Sequence, residues 1–178
     1  MGTAARALGF SLALLFSLSP ARTVQPVDTL EELQRRFDNE PDGVNKAKML
    51  RKLGDAQFLR EREAVKAGDY ETADFIMEKY RDNVRAALNA VVKAHPDGER
   101  HPSGYKQLEM HLEDGLREVD DLLAVVPETF RPPLEIVKTD LLALDKETLV
   151  RLFPRRPSEK PLPPKPAETA PTSQEKQP

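Results

Sequence analysis

The sequence predicts an all-α fold, an antiparallel helical bundle of about four main helices preceded by a short N-terminal helix. Two observations carry this. Apolar residues recur at alternating spacings of 3 and 4 over most of residues 28–153, which gathers them on one face of successive helices. No stretch alternates with the period of 2 that a half-buried strand requires. The breaks between the apolar seams are short and hold residues that end or begin helices, so consecutive helices fold back on one another.

The elements follow in order. Asp28-Thr29-Leu30-Glu31 has the spacing of a capping box and opens a short helix through about Phe37. From about Val44 to Ala67 a second helix carries a broader apolar face of Ala47, Leu50, Leu53, Gly54, Phe58, Ala64 and Val65. Gly68 can take the left-handed conformation that ends this helix, and the Asp69 side chain can accept from the free amides that begin the next. From Tyr70 the positions Ala73, Met77, Tyr80, Val84, Ala87 and Val91 form one long seam, and Tyr105, Leu108, Leu112, Gly115, Val119, Leu122 and Val126 form another. Met110 falls on the opposite face from Leu112. After "PETFRPP", Leu134, Val137, Leu141 and Leu144 begin a last seam, with Pro132 and Pro133 in a first turn where a missing amide costs nothing. The spacing leaves open whether residues 132–153 form one helix or two. Phe75 and Leu59 lie off the main seams; the expectation is ordinary packing on a second face of the hairpin, an exposed docking surface being the other reading.

Both ends differ from this core. Arg6 followed by an apolar run from Ala7 to about Leu18, with Ser19 and Ala21 at the small positions before a cut, has the form of a secretory signal peptide over residues 1–21. The run is short of the roughly 20 apolar residues a spanning helix needs, so no transmembrane span is expected after cleavage. Residues 22–27 are then a flexible lead-in to a helical domain over 28–153. Residues 154–178 hold eight of the sixteen prolines and no aromatic residue, as a disordered tail does. Pro161-Leu162-Pro163-Pro164-Lys165 has the PxxP form of a recognition peptide, a pattern that any proline-rich spacer also generates.

Composition narrows the function classes. The absence of tryptophan and the small number of aromatics leave a core of Leu, Val and Ala, and the absence of cysteine removes disulfides and lipid-modified leaders. Net charge is −3, and because the leader contributes +1 and the tail +2, residues 22–153 carry −6, opposite in sign to a nucleic-acid footprint.

The three histidines of the chain, His95, His101 and His111, fall within "HPDGERHPSGYKQLEMH". His95 ends a helix, where an imidazolium meets the negative end of the dipole, and His101 precedes a proline in the loop. His111 lies at the edge of a seam beside Glu113 and Asp114. Strong zinc signatures place two ligands one helical turn apart, whereas the gaps here are six and ten. Solvated loop histidines are the expectation, and a metal site joining His95, His101 and His111 is the alternative. Asp38-x-Glu40-x-Asp42-Gly43 imitates the start of a calcium loop but has Met49 where the bidentate glutamate belongs. Ser103-Gly104 lacks the GxSxG elbow, and Asp120-Asp121 diverge by about 100 degrees on a helix, as a solvated face does. No residue is expected to be catalytic and no cofactor is expected.

"AGDYETADFIMEKY" resembles the turn between the two helices of a tetratricopeptide repeat, with Gly68, Asp69, Tyr70 and Ala73 at matching positions. The resemblance covers one hairpin, since Leu53-Gly54 lies too early for the upstream signature and no copy recurs at about 34 residues. It implies a related helix-pairing geometry. The plan of leader, "HPSGYKQLE…LREVDDLL…RPPLE" core and "LFPRRP" end resembles uncharacterised bacterial exported helical proteins, a resemblance that supplies no activity. The function expected is therefore that of a small exported interaction or scaffold protein, non-enzymatic, periplasmic or secreted, with a protein or cell-envelope component as partner. The alternative is a periplasmic metal-binding or metal-buffering protein using the three histidines.

Overall fold

The computed structural model describes residues 29–154. The expected signal peptide and lead-in, and the proline-rich tail from residue 155, lie outside them. Five helices follow one another: α1 (Leu30–Asn39), α2 (Gly43–Lys66), α3 (Tyr70–Ala94), α4 (Ser103–Val125) and α5 (Arg131–Leu152), with a 3-10 turn at Glu128–Phe130 before α5. Among the described residues there is no strand, and no helix is long and apolar enough to cross a membrane. The all-α bundle expected from the seams is the observed fold.

Local chemistry sets each boundary. The cap of α1 falls one position later than the capping-box spacing suggested: Thr29 Oγ1 accepts from the Glu32 amide at 3.2 Å, and the helix continues past Phe37 to Asn39. Thr29-x-x-Glu32 offers the same spacing, and from it Leu33 and Phe37 lie one turn apart and bury against α2. Asp42, part of the apparent calcium loop, instead caps α2 by accepting from the Asn45 amide at 2.8 Å. Gly68 has φ of 75° and Asp69 accepts from the Thr72 amide, so the α2–α3 connection forms as its residues dictate. α5 runs unbroken from Arg131, which decides between one helix and two: buried Thr148 and Leu152 extend the seam of Leu134, Val137, Leu141 and Leu144 past Asp145.

Short connections make α2 and α3 antiparallel, and likewise α4 and α5. The two hairpins lie side by side, α2 on α4 and α3 on α5, each pair parallel. α3 and α4 meet across the diagonal. There the Tyr80 ring of α3, 4.8 Å from the Phe58 ring, occupies the space left by Gly54 of α2 and Gly115 of α4. A Cβ on Gly115 would stand 2.3 Å from the Tyr80 ring, and one on Gly54 would stand 3.1 Å from it. The Tyr80 hydroxyl donates to the His111 carbonyl in a short hydrogen bond. Leu112 is buried and Met110 exposed, as their opposite faces require.

Gly115→Ala should therefore lower stability by about 2–3 kcal/mol, an overpacking cost larger than any gain in helix propensity. Urea unfolding measures it, and the cost should shrink markedly in a Tyr80→Ala background, because the clash is between those two side chains. Additive effects of the two substitutions would refute the wedge.

Candidate functional site

α1 packs on α2 and reaches α3 only through side chains, which leaves an open groove between α1 and α3. The groove has a volume of about 650 Å³. Its apolar surface comes from Leu30, Ile76 and Phe75, and its rim carries both charges, Glu31, Arg35, Asp38 and Lys79. Phe75 is 67% exposed and Leu59 is 60% exposed, so ordinary second-face packing is overturned for both. The physical reason is the position of α1. It covers the side of α2 that carries Leu33 and Phe37 contacts, but it does not reach Phe75 on α3, and no other described helix passes over Leu59.

At the base of the groove a chain of amides ties three helices. Gln34 of α1 and Asn83 of α3 exchange hydrogen bonds at 3.0 and 2.9 Å, and Asn83 also donates to Gln57 of α2 at 3.4 Å. Gln34 donates a further bond to Asp38 at 2.8 Å. Gln57 and Asn83 are buried, so these bonds replace the water both amides lose. Their signal in the sequence is a polar residue at seam register: Gln57 follows Leu53 by one turn and Asn83 follows Tyr80 by one turn.

The structure brings His95 and His101 together and leaves His111 apart. His95 caps the end of α3, and its ring lies 5.0 Å from that of His101. The Tyr105 hydroxyl donates to the His95 carbonyl at 2.6 Å, tying the loop to α4. His111 is two turns into α4, about 12 Å along the helix from its start, and is buried rather than solvated, which corrects the expectation for it. Its Nε2 has no hydrogen-bond partner among the described residues, and burial, together with the charge of Arg51, works against the imidazolium while Asp114 and Asp55 favour it; the net effect lowers its pKa. No group of three or more His, Cys, Asp or Glu side chains among the described residues is arranged to hold a metal ion. Asp120 faces solvent and pairs with Lys138 at 2.6 Å, as a surface aspartate does.

A second polar cluster joins α2 to α4 and was not anticipated. Arg62 donates to both oxygens of Glu118, from Nε at 2.6 Å and from the guanidinium NH2 in a shorter bond. Glu61, 2% exposed, lies against the same carboxylate. Burial first, then the hydrogen bond to Glu118 and its charge, push the Glu61 carboxyl up to about 7, against a smaller opposing pull from Arg62. Here too the sequence held a signal, since Glu61 and Glu118 fall at seam register beside Ala64 and Val119.

Comparison with known proteins adds no assignment: no protein family, curated protein or solved structure matches the chain.

Because folding raises the Glu61 pKa from 4.5 to about 7, the protonated form is favoured in the native state. Its contribution is complete below the unfolded value and is lost as pH rises through about 7. Glutamine stays neutral and can donate to Glu118 as the protonated acid does. Glu61→Gln should be near neutral at pH 5 and more stable than the parent by about 1–3 kcal/mol at pH 8, read by urea unfolding at the two pH values. An equal effect at both would show that folding does not raise the Glu61 pKa into this range.

Proposed function

We propose that this is a small exported, non-enzymatic interaction protein whose α1–α3 groove receives an amphipathic helix of a partner protein. The exposure of Phe75 at the edge of the groove is the observation that carries the reading, because a large aromatic left in water beside an apolar cleft is disfavoured unless something covers it. The groove runs the length of α1, about 15 Å or nearly three helical turns, enough for apolar side chains at positions i, i+3 or i+4, and i+7. The mixed charges of its rim suit the polar flanks of such a helix. Export rests on the leader formed by Arg6, the apolar run and Ala21, and the absence of cysteine suits a chain that holds together by packing alone.

Phe75→Ser should change stability by no more than about 0.5 kcal/mol, since the ring makes little of the core, yet weaken partner binding more than tenfold. A photo-crosslinking phenylalanine at position 75 of the full chain, expressed in its own envelope, should give an adduct with a foreign polypeptide at an amphipathic helical segment. The same probe at Met110, exposed on α4, should not. Equal adducts from the two positions, or crosslinks from position 75 only to this chain, would overturn the reading.

A further inference from the structure

A cavity of about 240 Å³ opens between the last turns of α2 and α4, built from residues that take no part in the α1–α3 groove. Three of its walls are apolar, Val65, Leu122 and Val125. The rest are charged, and their pairing is uneven. Glu118 has both oxygens engaged by Arg62, so its charge is already paired. Lys66 and Asp121 add one charge of each sign at the wall. Glu61 remains, and its Oε2 is buried with no hydrogen-bond partner among the described residues, although the residue lines the cavity. A buried carboxylate oxygen without a donor is the feature a ligand donor would satisfy. With Glu61 ionised, the carboxylates of Glu61, Glu118 and Asp121 outnumber the cations of Arg62 and Lys66 by one.

We propose that this cavity binds a primary ammonium group carried on a short alkyl chain, the ammonium pairing with the Glu61 carboxylate and the methylenes lying on Val65, Leu122 and Val125. A compact ammonium suits a single free acceptor, whereas the planar fork of a guanidinium asks for a carboxylate with two. A hard metal ion asks for about six oxygens, and no such group is assembled here. A free alkylamine and a lysine side chain share the required chemistry. Because the ligand pairs with the ionised carboxylate, binding releases a proton from Glu61. With the carboxyl titrating near 7, affinity should rise about tenfold between pH 6 and pH 8.

The test is a titration of the full, methyl-labelled chain with n-butylammonium and, separately, with Nα-acetyl-lysine methylamide, following the Leu122 and Val125 methyl resonances at both pH values. Saturable shifts, about tenfold tighter at pH 8, are expected. They should vanish in Glu61→Gln and weaken in Val125→Trp, which narrows the mouth at an exposed residue. Tighter binding of the lysine derivative would name a polypeptide as the source, and tighter binding of butylammonium a free amine. Unmoved methyl resonances at pH 8, or the same shifts in Glu61→Gln, would overturn the proposal. Phe75→Ser should titrate like the parent, so the outcome is independent of whether the groove holds a partner.

Discussion

The ring of Tyr80 reaches the meeting point of α2, α3 and α4 only because Gly54 and Gly115 carry no side chains there. Much else follows from that wedge. It sets how closely α4 lies on α2 at mid-bundle, and its hydroxyl, bound to the His111 carbonyl, fixes the level of α4 along α3. Glu61 lies seven residues beyond Gly54, and Glu118 three beyond Gly115, so each is carried toward the other by the approach of the parallel helices at the glycines. The carboxyl pair and its cavity are consequences of the wedge as much as of their own chemistry.

The rest of the interior is mostly Leu, Val and Ala, which are poor at distinguishing one helix register from the next. The buried amides supply part of that distinction. Sliding α1 by one turn would leave Asn83 without Gln34, and an unsatisfied buried amide costs about 1–3 kcal/mol. The Arg62–Glu118 pair acts differently. Arg62 is more than half exposed, so the pair adds little stability, but it fixes one carboxylate beside a neighbour whose pKa burial raises to about 7.

The helices, their order and most of their ends were legible because they depend on local spacing and on capping residues such as Asp69 and Gly68. Continuity of α5 through Asp145 was not, since that residue interrupts the run of apolar letters while lying to one side of the buried stripe. The α1–α3 groove was legible only as the off-seam position of Phe75, and the sequence favoured the wrong covering for it, because whether a neighbouring helix extends far enough is a matter of tertiary placement. The Glu61–Glu118 approach depends on the diagonal wedge, and nothing in the spacing of either helix alone encodes which polar residues will meet across it. His95 as a helix cap was readable from Pro96 next to it, whereas the burial of His111 followed from α2 and α3 closing over the seam edge.

α1 is ten residues long, shorter than an isolated helix needs to persist in water, and it stays formed through Leu33, Phe37 and the amide chain at Gln34. It is therefore the helix expected to detach at the lowest free energy, its amides exchanging hydrogen before those of the paired hairpins. One wall of the groove is thus its least anchored helix: detachment would uncover the apolar side of α2 behind it, and anything seated between α1 and α3 would oppose that detachment.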